Sequence, residues 1–369
     1  GGIETWLRQL ARHIDRQRID LQVFTHDASM TPIRRELEQL GVTVIDKRWP
    51  VRLPGFGRWF RGMLRARGPF DVVHCHCAFW SGRIVHYAAQ AGVPVRIVHG
   101  RDDLTESFRR ESASRRRAMI RLRESIRENA TDRWAVSRRA GTSLFGEGWC
   151  GRGGRIVPSA VDFAPFAELV DSQACRAEFQ LPSQGLVLGH VGRSTEKKNQ
   201  TFLIDVLGRI IARRHDAWLM LIGDGPNQYR VQKKVHALGL GERVRWAGDR
   251  TDVARLLIGA VDVFVFPSQY EGLGRAALEA QAAGLPTLVS EGVPEAVDVI
   301  PELIRRLPLL VGADAWADAI IDAAETPRLL RREALKRMRQ SPFSIDKQAD
   351  DLVRFYQKAI QANALGEDR

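Results

Sequence analysis

The sequence predicts an α/β protein of two doubly wound, parallel-sheet domains. Three observations predict it. Short apolar runs alternate with amphipathic helical stretches along the chain, the pattern of parallel strands covered by helices on both faces. The length of 369 residues exceeds one ordinary domain. A proline-punctuated stretch, RIVPSAVDFAPF at 155–166, coincides with a change of charge balance and reads as the join. The expected division is 1–160, 161–343, and a closing amphipathic helix within 344–369 that could pack on either domain.

In chain order, TWLRQLARHI (5–14) is a helix with one apolar face, and LQVFTH (21–26) is a strand. DVVHCHC (71–77), VPVRIVHG (93–100) and DRWAVS (132–137) are further strands of the first half. The second half offers GLVLGHVGR (185–193), AWLMLIGDG (217–225), RVRWAGD (243–249), VDVFVFPS (261–268) and LPTLVSEG (285–292). Helices such as QTFLIDVLGRIIARR (200–214) separate them. A doubly wound domain opens with a strand that delivers a glycine-rich turn. Here Gly1-Gly2 come first, so the first strand is expected to precede the given sequence.

The formal net charge of +12 is uneven: residues 1–160 carry 29 Lys+Arg against 16 Asp+Glu, which leaves the remainder near neutral. The densest run is RRESASRRRAMIRLRESIR at 109–127, where Met119, Leu122 and Ile126 share one helical face and arginines occupy the others. It is either a solvated helix packed on the domain or a patch, through Arg115, Arg116 and Arg117, for an anionic membrane surface or acceptor. No apolar run approaches the roughly 18 residues of a membrane span. Cys75, Cys77, Cys150 and Cys175 are too few and scattered for a disulfide framework and read as reduced thiols of a cytoplasmic protein. In HCHC (74–77) a strand puts His74 and His76 on one face and both cysteines on the other, so those four do not converge on a metal.

YEGLGRAALEAQAAGLP (270–286) reads as a loop, then a helix starting near Gly272–Gly274 and stopping at Gly284-Leu285-Pro286. Glu271 then stands at the helix start and Glu279 roughly 12 Å further along it. A nucleotide-sugar matches that length: carboxylates for the sugar and ribose hydroxyls, with the exposed amides between them for the diphosphate. Two solvated helix glutamates would give the same spacing. In GHVGRSTEKKN (189–199), Arg193 and Lys198 follow a buried strand and suit a diphosphate leaving group. IGDGP (222–226) is a second strand-end glycine turn. Gly1 and Gly2 could bring bare backbone to the diphosphate. His99 is either a satisfied core histidine or a group bonding a sugar hydroxyl, and His76 is a further candidate on the acceptor side.

Together, GGIETW, DVVHCH, GRSTEKKN, IGDGP and EGLGRAALE resemble glycosyltransferase family 4 nearly end to end, closest to its EpsF-like exopolysaccharide-biosynthesis branch. The resemblance implies a GT-B fold of two Rossmann-like domains facing across a crevice, with a C-terminal helix crossing back to the first domain. It implies retaining transfer from a nucleotide-sugar, UDP-sugar favoured and GDP-sugar possible, to a lipid-linked or polysaccharide acceptor. No cofactor and no metal are implied, and the location would be cytoplasmic, peripheral at the inner face of the membrane. Arg193 and Lys198 would neutralise the diphosphate, Glu271 would hold the transferred sugar, and Glu279 the ribose. Backbone at Gly272, Leu273 and Gly274 would complete the donor contacts, with His99 beside the reacting face. Two departures stand out: PSAVD at 158–162 replaces the family's PNGxD, and Arg101 stands where the branch often has a second histidine.

The rivals are a basic nucleic-acid- or membrane-surface-binding protein without transferase activity, a nicotinamide-dependent oxidoreductase and a GT-B sugar-nucleotide epimerase or phosphorylase. Against nucleic acid, 109–127 interleaves no aromatic residue with its arginines. Against the oxidoreductase, no G-x-G-x-x-G follows a strand.

Overall fold

The computed structural model describes residues 2–25, 31–46, 51–326 and 329–365. The chain divides into two compact units, Gly1–Ala160 with Ile345–Arg369, and Val161–Ser344. Gly1 lies outside the described residues.

In the N-terminal unit, β1 (Gln22–Thr25) pairs in parallel with β2 (Thr43–Asp46). A second parallel sheet runs in the order β3 (Val72–Cys75), β4 (Val95–Gly100), β5 (Asp132–Ala135), β6 (Arg155–Ile156). Its core is apolar because β4 and β5 bury Val95, Ile97 and Trp134 beneath Trp6 and Leu10 of the helix Gly2–His13 and Ile14 just after it. The long helix Ile345–Ala364 belongs to this unit, and its Ile345, Ala349, Leu352 and Val353 complete that cluster. Gln348 anchors it: its Oε1 accepts from Trp6 Nε1 at 2.5 Å and from the Ala160 amide at 3.3 Å.

The arginine-rich run forms two helices, Thr105–Arg110 and Ala113–Asn129, not one. Ser112 interrupts them because its hydroxyl accepts from the Arg115 amide and caps the second helix. Ile126 is buried while Arg115, Arg116, Arg117 and Arg121 are exposed. A Cβ at Gly82 would lie 2.3 Å from the Leu122 carbonyl, so only glycine admits the close crossing with the helix Ser81–Gln90.

The C-terminal unit holds one six-stranded parallel sheet in the order β12, β11, β10, β7, β8, β9. These strands are β7 (Leu186–Val191), β8 (Ala217–Ile222), β9 (Val244–Gly248), β10 (Val263–Phe266), β11 (Thr287–Ser290) and β12 (Ile304–Leu307). β7, β8 and β10 are nearly continuous runs of apolar, buried residues, as strands covered on both faces require. The chain winds outward from β7 to β9, then crosses over and winds the other way from β10 to β12. The switch point therefore lies between β7 and β10, the place where open α/β sheets present ligand sites at their strand carboxyl ends.

Candidate active site

The turns leaving β7 and β10 meet at the switch point. After β7, the chain passes Gly192-Arg193 into a short 3-10 turn, Glu196–Lys198, that ends at Asn199 in a left-handed conformation. After β10 it runs through Ser268 to Glu271 and enters the helix Arg275–Ala282 at Gly274, whose φ of +93° suits glycine. The Gln269 amide donates to the Lys197 carbonyl at 2.7 Å, which ties the two turns together. Lys198 Nζ then stands 2.6 Å from Glu271 Oε1, with side-chain exposures of 14% and 8%. Lys198 also lies over the Phe266 ring at 4.5 Å.

Glycines make this approach possible. A Cβ at Gly192 would press to 3.0 Å from the Lys198 side chain, and one at Gly225 would come within 2.4 Å of the Ser194 carbonyl. The turn after β8 consequently locks onto the turn after β7: the Ser194 amide donates to Asp224 O at 2.9 Å, and the Asn227 amide to Ser194 O at 3.0 Å. Gly292, after β11, lies so close beneath the Gln269 carbonyl that a Cβ would approach to 2.2 Å, and its own carbonyl accepts from the Glu271 amide.

The two glutamates of the helix start differ electrically. Burial pushes the Glu271 carboxyl up, but the charges of Lys198 and Lys197 reverse this and hold it below the ordinary carboxylate value. Burial dominates at Glu279, whose carboxyl is raised because Arg275, 3.9 Å away, and Lys198 compensate only in part. Arg193 is exposed, and its side chain has no partner among the described residues. The amides of Gly272, Leu273 and Gly274 likewise have no protein acceptor among the described residues. The unit thus presents a cation, a row of open amides and two carboxylates around one sheet edge.

Sequence reasoning missed His190. It is fully buried beneath Lys198, donates from Nδ1 to the Val265 carbonyl at 2.9 Å, and leaves Nε2 without a partner. Burial lowers it to about 4, so it is neutral and carries a lone pair. Its place within an apolar strand pattern gave no signal.

In the N-terminal unit, β3 and β4 bring His74, His76 and His99 together, their ligating atoms all within 4.8 Å of one another. Cys75 and Cys77 pack on the opposite side among Phe56 and Phe60, as strand alternation predicts. His99 belongs to this cluster. It is 1% exposed, and both ring nitrogens are engaged, Nε2 with the Val157 carbonyl at 2.8 Å and Nδ1 with His74 at 3.1 Å. In this geometry no nitrogen remains for direct contact with a sugar, because burial turned the residue into a link between strands. Gly2 opens the first helix rather than a loop, and a Cβ there would meet nothing within 4 Å. Arg101 packs 3.9 Å over the Trp6 ring and donates to His76 Nδ1 at 3.0 Å and Ser159 Oγ at 2.8 Å.

Comparison with known proteins matches both units. Residues 1–158 fit the glycosyl transferase 4-like domain and residues 171–341 the glycosyl transferases group 1. The glycosyltransferase EpsF of Bacillus subtilis is 30% identical over 96% of this chain and 93% of its own. A D-inositol 3-phosphate glycosyltransferase of Salinispora tropica is 25% identical over 98% of this chain and 81% of its own. Among solved structures, Anabaena HepE in complex with UDP and glucose superposes with a TM-score of 0.78 at 19% identity, covering 97% of this chain and 96% of that one. WaaG, a glycosyltransferase involved in lipopolysaccharide biosynthesis, gives 0.69 at 17% identity, covering 98% and 95%. These matches set aside a binding protein without catalysis and an oxidoreductase. With two parallel-sheet units and these matches, the chain belongs to the group 1, family 4-like glycosyltransferases and is a transferase of GT-B fold.

Proposed function

We propose that the protein transfers a sugar, with retention, from a nucleoside-diphosphate sugar to a lipid-linked or polysaccharide acceptor in exopolysaccharide or cell-envelope assembly. The observation that carries this reading is the Lys198–Glu271 pair at the switch point, beside the unpartnered Arg193 and the open amides of Gly272–Gly274. A pyrophosphate is the dianion such an edge fits. A UDP-sugar is favoured over a GDP-sugar because HepE, the structural neighbour, binds UDP. The exopolysaccharide role rests on the resemblance of the sequence motifs to the EpsF-like branch, and EpsF of Bacillus subtilis is a 30% identical relative.

In this reading Arg193 and Lys198 neutralise charge as it builds on the leaving diphosphate, the largest contribution available to a site of this kind. Glu271, kept ionised by Lys198, accepts hydrogen bonds from hydroxyls of the transferred sugar, and Glu279 accepts from the ribose. The leaving diphosphate takes up the acceptor proton on the same face, and the reaction needs no metal or cofactor. In this reading Arg115, Arg116 and Arg117, which are exposed, meet anionic lipid at the inner face of the membrane. No described helix is long and apolar enough to cross a membrane.

The test is thermal stabilisation by UDP, GDP, ADP and NAD, with Glu279→Ala in parallel. A ligand at 100 times its dissociation constant contributes about 2.7 kcal/mol. A shift with UDP that shrinks in the variant supports the assignment, whereas no shift with any of the four overturns the donor site.

A further inference from the structure

One assignment of protons satisfies the histidine cluster of the N-terminal unit. His99 Nε2 faces the Val157 carbonyl, a pure acceptor, and so carries that ring's proton. Its Nδ1 is then an acceptor, and His74 Nε2, 3.1 Å away, must donate to it. His74 Nδ1 in turn accepts from the Tyr356 hydroxyl at 2.7 Å. His76 is set separately: Arg101 Nε always bears hydrogen and donates to His76 Nδ1 at 3.0 Å. The proton of a neutral His76 therefore sits on Nε2. All three rings are neutral, since burial and then the Arg101 charge hold them well below the ordinary imidazole value.

We propose that Arg101 locks His76 as a permanent hydrogen-bond donor, so that His76 Nε2–H, at the carboxyl end of β3, takes an oxygen of the acceptor. Among the described residues that N–H has no protein partner, and His76 is only half-buried. Arg101 is held for the task at two further points, by stacking on Trp6 and by its bond to Ser159. The planar guanidinium fixes the direction of Nε–H, which a lysine ammonium would not do. The charged and titratable groups facing His76 are His74 from its own segment, and His99 and Arg101 from β4 and its end; Tyr356 of the C-terminal helix acts one ring further away.

The consequence is chemical. Every lone pair of the cluster is spent on a protein donor, so none of the three imidazoles can take a proton from the acceptor hydroxyl. That proton must go to a group outside the cluster. The nature of the ligand rests on the transferase reading, whereas the tautomer does not. Arg101 is thus a positioning residue, and its place in the chain is the one the EpsF-like branch often gives to a histidine.

The test uses the full chain labelled with ring nitrogen-15 histidine, with no ligand present. Long-range proton–nitrogen spectra should show His76 protonated on Nε2 alone, unchanged between about pH 5.5 and 8. Arg101→Met should let the ring sample both tautomers and titrate closer to the ordinary value of about 6.5. Arg101→Lys, which keeps the charge without the fork, should leave the titration depressed but mix the tautomers. A wild-type His76 protonated on Nδ1, a wild-type titration near 6.5, or spectra unchanged by Arg101→Met would each overturn the lock. With UDP-glucose as probe, His76→Phe should lower turnover about tenfold, the size of one lost hydrogen bond. Arg101→Met should add to the turnover profile a limb near the ordinary imidazole value that the wild type lacks; unaltered turnover in His76→Phe would overturn the ligand contact. Failure of the wild type to turn over UDP-glucose would count against that donor alone, because the spectra decide the lock without it.

Discussion

Lys198 and Glu271 sit 73 residues apart in sequence and 2.6 Å apart in space, joined across the switch point of the C-terminal sheet. The pair is nearly dry, so each charge depends on the other. Removing one partner of such a pair leaves a buried unpaired charge, which costs about 3–5 kcal/mol. Lys198→Met should therefore lower the melting point and cut turnover by more than about 10². Adding Glu271→Gln should recover much of the stability but none of the turnover, because the cation proposed to neutralise the diphosphate remains absent. A double-mutant cycle read by melting and by initial rates separates the two effects. Equal recovery of both would show that the pair is structural.

Glu279 carries the opposite tension. Burial raises its carboxyl, so its stability contribution is full below the unfolded-state value and is lost as pH rises through the folded one. At neutral pH the ionised form is a strain on the fold. Glu279→Gln should raise the melting point at neutral pH while weakening UDP binding about tenfold or more, since an ionised hydrogen-bond acceptor is lost. Wild-type affinity for UDP should fall on acidification through a value above the ordinary carboxylate range, and the variant should lack that limb. Calorimetric titration across pH checks both, and lower stability in Glu279→Gln would contradict the sign.

Much of the fold was legible because buried parallel strands announce themselves. LVLGHV, AWLMLI and VFVF at 186–191, 217–222 and 263–266 are largely apolar on both faces, as strands covered on both sides require. The strands that escaped are edges or polar: β6 has only Arg155 and Ile156, both exposed, and β12 reads IRRL. Arg306 can lie in β12 because Asp298 accepts from it at 2.7 Å, a partner no local window reveals. The same limit governs the site. Glu271, Glu279, Arg193 and Lys198 were nameable from motifs, yet that Lys198 would neutralise Glu271 required the crossover between β7 and β10. The engagement of both His99 ring nitrogens was hidden for the same reason, since Val157 and His74 reach it from other parts of the chain.

His190 predicts an acid liability. Burial lowers it to about 4, so its stabilising contribution is full above about 6.5 and is lost as pH falls toward 4. The loss should reach about 3 kcal/mol at the acid end. His190→Asn keeps a donor for the Val265 carbonyl without a titrating ring, so its urea midpoint should fall less between about pH 6.5 and 4.5. Some slope should persist, because His74, His76 and His99 are lowered in the same sense. An identical slope in wild type and variant would remove His190 as a source.

The arginine face of the helix Ala113–Asn129 offers a test that leaves the fold alone. Ile126 anchors the helix, whereas Arg116 and Arg117 touch no partner among the described residues. The Arg115 side chain meets, among the described residues, only Glu111, at 3.1 Å and with 73% of it exposed, a pairing of little energy in water. Ile120, 47% exposed among them, adds an apolar tip. Each arginine near an anionic surface contributes about 1 kcal/mol, so three together are worth about 10² in partitioning. Replacing Arg115, Arg116 and Arg117 by glutamine should abolish most sedimentation with phosphatidylserine-containing vesicles and spare the UDP-induced melting shift. Wild-type sedimentation should fall as salt is raised, since the attraction is screened over about 8–10 Å. Equal sedimentation of the two proteins would mean that this face only keeps the helix wet.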